Sequence, residues 1–600
     1  MNETKSIRRQ GVNNPFQIKF QTLWQVTAAQ SKQLRFLVVL LLAAFGYWLG
    51  PADLAPGTYT ARIELALDGT TYTTTIPFDL GKAEGQPISL TRQLGAYEVE
   101  VSSFDAYAQE PGSLISYRLR VTDAENHPVS LDLENVNSAI SGEGYRQTLP
   151  STGRDDDWYT FTMRIPYRAK IAMALLFAVA MLWVSELVPL AAAALLIPVV
   201  VVVAGISAPD AVLQPFFHPI VVLFFAGFLL AEGMRHTGVD RVIALNILRR
   251  ASVQPAILMV TMMALTAFLS MWMSNTASVA IIIPIAIAVL DKIPNDGQPT
   301  GYRRALILAI AYSATVGGIG SAIGTPANIL AMTFLNDLTG TSFGFADWFA
   351  YGLPMVLIMI PVIWLYLLLV FRVKFGRIGP HLNRAVYDRE LKNLGPLTRD
   401  QRLLFLVFIA VVGLWLTDRW HNVHTAIVAL GGVLVLFLAE TLKKEDLNRI
   451  NWNALLTFGG GLALGNVLVL TGVSDWIALR LTGLVVLSPL LVVFLVAGLT
   501  LVIGAFISNT ACAAMLIPLA IPLAQILHMD PRLLVVVIAI ASSIDFALVV
   551  GTPPTMMAYS TGYFRVQDIF KRGVVLDLIG IVLLSFGAIW IWRLLGVVTF

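Results

Sequence analysis

The stretches 270-SMWMSNTASV-279 and 504-GAFISNTACA-513 decide how this chain is read. Each sets a Ser-Asn-Thr tripeptide, Ser274-Asn275-Thr276 and Ser508-Asn509-Thr510, in the middle of a long apolar segment. Each is followed further along by a Gly-Thr-Pro turn, at Gly324-Thr325-Pro326 and Gly551-Thr552-Pro553. Small polar residues and helix breakers at membrane depth are costly unless the freed backbone groups find partners in protein or in a water-filled cavity. Their doubled occurrence points to one binding site assembled from two halves.

The halves are repeats on internal evidence. A shift of 234 residues carries Ser274 onto Ser508 and, in the same register, Thr237-Gly238-Val239 onto Thr471-Gly472-Val473, Ala244-Leu245 onto Ala478-Leu479 and Pro284 onto Pro518. Short polar interruptions at matching places in two halves are the sequence pointer to the binding site of a secondary transporter. Composition agrees. The 600 residues are 56% hydrophobic and 13% charged, with mean hydropathy +0.73, more apolar material than a soluble chain can bury, and it is clustered in runs of span length. A single cysteine, Cys512, excludes a disulfide framework and a cysteine-based metal cluster. No nucleotide loop or nucleophile–base pair occurs in the polar loops, so an enzyme is not expected, and neither is a cofactor or a nucleic-acid partner.

Residues 1–33 carry Lys5, Arg8, Arg9, Lys19 and Lys32 against one acid, Glu3, ahead of a first apolar run at 34–50. That basic flank predicts a cytoplasmic amino terminus and a retained signal-anchor helix. Residues 51–168 change character. Thr58 to Leu67, Thr71 to Phe78, Tyr97 to Ser103, Ser116 to Thr122 and Trp158 to Ile165 alternate apolar and polar residues between turn signals such as Asp68-Gly69 and Pro111-Gly112. They predict an all-β, sandwich-like domain on the periplasmic or extracellular side. His127 reads as a lone histidine there, and Asp155-Asp156-Asp157 as a solvated turn.

From residue 169 the chain is nearly all membrane: one transporter repeat over 169–372, a cytoplasmic linker at 373–401 and a second repeat over 402–600. Spans are expected near 169–185, 187–206, 218–236, 303–335, 348–371, 402–417, 423–440, 452–470, 531–560 and 573–597. The segments 254–290 and 487–525, with the tripeptides at their middles, are too long for single helices in a bilayer core of about 30 Å, and read as re-entrant hairpins. That choice places Arg249-Arg250, Arg303-Arg304, the linker from Arg372 to Arg402, Lys443-Lys444 and Lys571-Arg572 all in the cytoplasm, as positive-inside bias requires. It gives eleven spans, an outward carboxyl terminus and two inverted repeats of broken helices and hairpins in a bacterial inner membrane.

The paired Ser-Asn-Thr motifs, the Gly324-Thr325-Pro326-Ala327-Asn328 and Gly551-Thr552-Pro553-Pro554 turns, and the segment from Trp183 through Glu186 to Pro189 resemble the divalent anion/sodium symporter family. The resemblance covers nearly everything after residue 168, with the β domain as an insertion in a loop that is usually short. It implies an elevator-type carrier of divalent organic anions, a homodimer, and sodium as the coupling ion.

On the residues themselves, a small anionic substrate needs hydrogen-bond donors but no full counter-charge, which would hold it too tightly for release. Helix N-termini and the Ser, Asn and Thr side chains of the tips supply such donors. The expected substrate contacts are Ser274, Asn275, Thr276, Thr325 and Pro326 from one half, and Ser508, Asn509, Thr510, Thr552 and Pro553 from the other. By resemblance, one sodium site uses Ser270, Ser274, Asn275 and Gly324; a second uses the neighbourhood of Gly504, Ile507, Asn509 and Gly551. The chain departs from the family at Gly504, where a hydroxyl is usual, which puts the second sodium site in doubt and leaves proton coupling or dicarboxylate exchange open. It departs again at Asp545, an intramembrane carboxylate six residues before the second turn whose repeat partner is Gly318. Asp545 reads either as a coupling group, binding a cation or a proton, or as a structural hydrogen-bonder. A third departure is Thr555, standing where the first half has Asn328. An inorganic oxyanion such as sulfate, or a sensor role built on the β domain, are the other readings.

Overall fold

A computed structural model of the protein describes residues 35–596 other than 52–56, 68–69, 81–89, 95, 107–113, 124, 130–135, 143–144, 151–152, 156, 165–166, 253, 293–300, 340–342, 374–384, 482–486 and 550. The basic amino-terminal segment, the turns at Asp68-Gly69 and Pro111-Gly112, and 374–384 of the linker lie outside the described residues.

After a first helix, α1 (Arg35–Leu49), the described residues of the alternating segment form nine strands: β1 (Gly57–Leu67), β2 (Thr70–Leu80), β3 (Leu90–Leu94), β4 (Tyr97–Ala106), β5 (Leu114–Thr122), β6 (Val136–Gly142), β7 (Tyr145–Pro150), β8 (Gly153–Asp155) and β9 (Trp158–Arg164). They pair into a four-stranded sheet, β2-β1-β6-β7, and a five-stranded sheet, β3-β4-β5-β9-β8. Side chains follow the period of two expected of a sheet with one buried face: Ile63 and Leu65 of β1, Val99 and Val101 of β4, and Leu119 and Val121 of β5 are all buried. His127 is not lone. It sits within reach of Asp123 and Glu125, because Asp123 Oδ1 accepts from the Glu125 and His127 amides at 3.0 and 2.9 Å and so folds an exposed turn after β5.

The rest is helical. The first half runs α2 (Ala169–Ser185), α3 (Leu190–Val203), α4 (Pro209–Leu213), α5 (Pro219–Thr237), α6 (Val239–Arg250), α7 (Pro255–Ser270), α8 (Asn275–Leu290), α9 (Gly301–Ile319), α10 (Pro326–Thr339) and α11 (Phe345–Val370). After α12 (Ala385–Leu394) come α13 (Arg399–Leu416), the short α14 (Asp418–His421), α15 (Thr425–Leu438), α16 (Trp452–Leu470), α17 (Val473–Arg480), α18 (Pro489–Gly504), α19 (Asn509–Ile526), α20 (Pro531–Ala541), α21 (Pro553–Ser560), α22 (Val566–Val582) and α23 (Ile589–Leu594). The order of elements recurs: α5 and α16 are each 19 residues, a positive-φ glycine, Gly238 or Gly472, leads from each into α6 or α17, and α7–α10 have α18–α21 as their counterparts.

Among the described residues, five helical stretches are long and apolar enough to cross a membrane: Pro209–Thr237, Phe345–Val370, Trp452–Leu470, Asn509–Ile526 and Val566–Leu594. Four of them hold expected crossings, whereas Asn509–Ile526 lies in the segment expected as the second re-entrant hairpin; the other expected crossings fall on α1–α3, α9–α10, α13, α15 and α20–α21, which do not meet that measure of length and apolarity. The runs expected as spans 303–335 and 531–560 are each two helices, broken at 320–325 and 542–552, because a Gly-rich or Ser-rich stretch ending in Gly-Thr-Pro cannot continue an α-helix. The expected hairpin segments are likewise two helices each, broken at 271–274 and 505–508. α7 packs on α9 so tightly that a Cβ at Gly317 would run into the Ala267 backbone.

At the end of α5, Glu232 pairs with Arg235 at 2.6 Å and lies 3.6 Å from Arg449, which leads into α16. Beside this network Asp240 is buried. Its Oδ1 accepts from the Arg241 amide at 2.6 Å while its Oδ2 has no partner. Burial pushes its carboxyl up to about 6, against the opposing pull of that amide and of Arg235 and Arg241. A folded-state value above the unfolded one means that the native chain holds the proton more tightly, so stability is fullest below the unfolded value and falls as pH rises through about 4 to 6. Asp240→Asn, which cannot ionise, is expected to be more stable than wild type by about 2–3 kcal/mol at pH 8 and equal to it below about pH 4. Thermal unfolding of both proteins in detergent across that range checks this.

Candidate functional site

The two tips are built alike. Ser274 caps α8 with backbone angles of −60° and 143°, and its side chain accepts from the Ala277 amide at 3.3 Å. Ser508 caps α19 at −61° and 145° and accepts from the Ala511 amide at 3.3 Å. Serine is favoured there because its oxygen takes one of the amides that a helix start leaves unpaired. The neighbouring amides, including those of Asn275 and Thr276 or Asn509 and Thr510, remain at the helix end.

Between the tips lies a cavity of about 340 Å³, the size of a small-molecule site. Ser274, Asn275, Thr276, Gly324, Thr325 and Pro326 line it from one half; Ser508, Asn509, Thr510, Gly551, Thr552 and Pro553 line it from the other. Every expected substrate contact is thus on one wall or the other. No Lys, Arg, His, Asp or Glu lines the cavity among the described residues. Instead α8, α10, α19 and α21 begin at it from the tips and turns, and α3 and α16 begin beside them, with Leu190 and Asn451 on the wall. A helix start carries roughly half a positive charge, so the four at the tips and turns sum to roughly two.

Behind the first tip the oxygens crowd. The buried Ser270 hydroxyl, with a single proton to give, faces Asn275 Oδ1 at 2.6 Å and the Ala314 carbonyl at 2.7 Å. A Cβ placed on Gly318 would lie 2.7 Å from Asn275 Oδ1 and 3.1 Å from the Gly324 carbonyl oxygen, so these two oxygens flank one point. An all-oxygen set with more acceptors than protons suits a hard cation. The break at 320–325 is braced by Asn328, which donates to the Gly318 and Ser321 carbonyls at 2.9 and 2.7 Å, and by Ser321, whose hydroxyl donates to the Met271 carbonyl in the first tip. Trp348 donates to the Ile319 carbonyl at 2.8 Å.

The second half is assembled differently. Gly504 offers no side chain, and the Ile507 amide turns back onto the Gly504 carbonyl at 3.3 Å. Thr555 pairs with Thr552 at 2.9 Å rather than bracing the break as Asn328 does. That bracing falls to Asp577, which accepts from the Phe546 amide at 2.8 Å, and to Tyr312 of the first half, which donates to the Phe546 carbonyl at 3.1 Å. Asp545 is not on the cavity wall. It is buried directly behind Gly551.

Asn451, Asn453 and Thr457 at the start of α16, together with Trp272 and Phe228, also line the cavity and were not anticipated from sequence. Asn451 caps α16 through the Ala454 amide at 3.0 Å, and Asn453 accepts from the Ala191 amide at 2.9 Å. A pair of asparagines flanking Trp452 ahead of an apolar run was the available signal.

Residues 162–598 match the family model described as the sodium:sulfate symporter transmembrane region. The sodium-dependent dicarboxylate transporter SdcS of Staphylococcus saprophyticus is 30% identical over 436 residues, which are 69% of this chain and 84% of that protein. An uncharacterized transporter of Haemophilus influenzae is 31% identical over 441 residues, 71% of this chain and 92% of that one. Among solved structures, the Alcanivorax borkumensis YdaH transporter overlaps 64% of this chain and 88% of its own, at 13% identity and a TM-score of 0.45. The matched segment holds the whole cavity and both pairs of broken helices, and its family and relatives are transporters, not enzymes. The chain is a multi-pass membrane transporter and belongs to the divalent anion/sodium symporter family.

Proposed function

We propose that this protein is a secondary active transporter of divalent organic anions, a C4 dicarboxylate or a citrate-like acid, coupled to sodium. The observation that carries this reading is the uncharged cavity on which four helix starts converge. Roughly two positive charges, spread over backbone dipoles, offset a dianion without the tight grip of an arginine. Ser274, Asn275, Thr276, Thr325 and Pro326 bind one end of the anion; Ser508, Asn509, Thr510, Thr552 and Pro553 bind the other. Ser270, Ser274, Asn275 and the Gly324 carbonyl hold one sodium ion, and Ile507, Asn509 and Gly551 contribute to a second. The name of the Staphylococcus relative points to the same substrate class and the same ion.

In this reading α7–α8 and α18–α19 are re-entrant hairpins of two inverted repeats, 169–372 and 402–600, and move with the broken helices as an elevator against a homodimeric scaffold. The amino terminus and the 373–401 linker are cytoplasmic; the 51–168 β domain and the carboxyl terminus face outward.

Uptake of labelled succinate into proteoliposomes with and without an inward sodium gradient tests the proposal. Sodium-dependent accumulation is the expected result. Uptake that requires internal dicarboxylate and ignores sodium would replace symport by exchange, and sodium-driven uptake of sulfate but not succinate would move the substrate to an inorganic oxyanion.

A further inference from the structure

We propose that Asp545 supplies a carboxylate ligand to the second sodium site, replacing the hydroxyl that Gly504 lacks; the proposal rests on the two-site reading above. Asp545 is 2% exposed, and neither of its oxygens has a hydrogen-bond partner among the described residues. The Leu548 amide acts on the carboxylate without reaching bonding geometry, and no salt bridge reaches it among the described residues. A buried carboxylate without a counter-charge is strongly destabilising, and inside a membrane protein it marks an ion or proton site by default. Its neighbour Asp577 is different, because it is committed to the Phe546 amide.

The direction of the side chain follows from its contacts. The Asp545 carboxylate presses against Gly551: a Cβ built there would lie 2.7 Å from Asp545 Cγ and 3.1 Å from Oδ1, and would collide with Oδ2. Gly551 is the counterpart of Gly324, whose carbonyl closes the oxygen cluster of the first half. The internal repeat sharpens the point. Six residues before each turn stand Gly318 and Asp545, and any side chain on Gly318 would enter the first cluster between Asn275 Oδ1 and the Gly324 carbonyl. In the second half that position carries a side chain, and it is a carboxylate.

The hydroxyl is exchanged in the opposite sense. Ser270 faces the Ala314 carbonyl at 2.7 Å; at Gly504 a Cβ would meet Cys512 Sγ and the Ser542 carbonyl at 3.7 Å and Ser542 Cα at 3.8 Å, ordinary packing distances that a side chain tolerates. One half therefore pairs serine with glycine, the other glycine with aspartate, around equivalent turns. Asp577 and Tyr312 hold the Phe546 peptide from both sides, so the carboxylate is fixed where it stands. A fixed carboxylate is a hard oxygen ligand that suits a small hard cation, and its charge cancels most of that cation's pull on the substrate.

Thermal unfolding of the full chain in detergent, titrated with NaCl against choline chloride at constant ionic strength and with no organic anion present, is the experiment. Asp545→Asn, which keeps the shape, is expected to raise the sodium concentration for half-maximal stabilisation by about tenfold or more, as loss of a charged ligand predicts. Gly504→Ser, whose Cβ would make only ordinary packing contacts, is expected to lower it, and to restore part of the loss when combined with Asp545→Asn. Sodium midpoints unchanged by both single substitutions would overturn the proposal. Because no anion is used, a failure of succinate uptake with an Asp545-dependent sodium response would sink the dicarboxylate reading and leave this one standing, and the reverse pair of results would do the opposite.

Discussion

Asn275→Ala is expected to cut sodium-driven succinate uptake by at least about a hundredfold, equivalent to roughly 2.7 kcal/mol of lost binding and coupling, while the protein still folds. The side chain serves two partners at once. Its Oδ1 takes the Ser270 contact at 2.6 Å behind the tip and flanks the same point as the Gly324 carbonyl, and the residue also lines the cavity. On the proposed reading, alanine removes a cation ligand and a substrate donor in one step. The fold has little reason to fail, because α8 is capped by Ser274, not Asn275, and Ser270 keeps the Ala314 carbonyl as its acceptor. Asn509→Ala is expected to behave likewise at the second tip, where Ser508 is the cap. Initial uptake rates in proteoliposomes at matched protein content, with melting temperatures beside them, give the answer; a single variant that keeps a third of wild-type uptake would remove its tip from the site.

Much of this site was legible in the sequence because its chemistry is local. A Ser-Asn-Thr run announces a helix start, a Gly-Thr-Pro run announces a break, and their doubling announces that the pieces meet; the cavity contains all twelve of those tip and turn residues. Its remaining wall was not legible. Asn451 and Asn453 belong to a helix start far from either motif in the chain, and the close approach of α16 to α19, where a Cβ on Gly461 would strike Ala514, brings them alongside. The bracing of the breaks was hidden for the same reason. Asn328 acts over about ten residues but onto carbonyls freed by the break, Ser321 reaches Met271 across 50 residues, and Tyr312 reaches Phe546 across 234.

The β region shows where patterning stops being informative. The five strands read from alternation are those with regular apolar–polar order and β-branched or aromatic residues. β3, β6, β7 and β8 are short or rich in small polar residues, as in Val136–Gly142 and Gly153–Asp155, and are strands because a neighbour offers a ladder to pair with. In the membrane part, hydropathy found where apolar helix lies but joined α9 to α10 and α20 to α21, because apolar character continues across both breaks while the backbone does not.

Two adjacent glycines are expected to fail in opposite ways when changed to alanine. At Gly318 the new methyl would sit 2.7 Å from Asn275 Oδ1 and 3.3 Å from its Nδ2, tighter than packing allows, and the yielding partner is the end of a side chain. Asn275 swings aside and the helices stay where they are, but the oxygen cluster it closed with Gly324 opens. Gly318→Ala should therefore lose sodium-driven uptake by about ten- to a hundredfold, or roughly 1.4–2.7 kcal/mol, with a melting temperature close to that of wild type. At Gly317 the methyl meets the Ala267 backbone, which cannot swing, so α7 and α9 must part. Overpacking of that kind costs about 1–3 kcal/mol, only partly offset by alanine's better helix propensity of about 1 kcal/mol. Gly317→Ala is thus expected to lower the melting temperature and the yield of folded protein, and to reduce uptake per folded molecule less than Gly318→Ala does. If Gly318→Ala instead matched wild type in its sodium dependence, the point between Asn275 and Gly324 would not be a cation site, whatever the fate of the other variant.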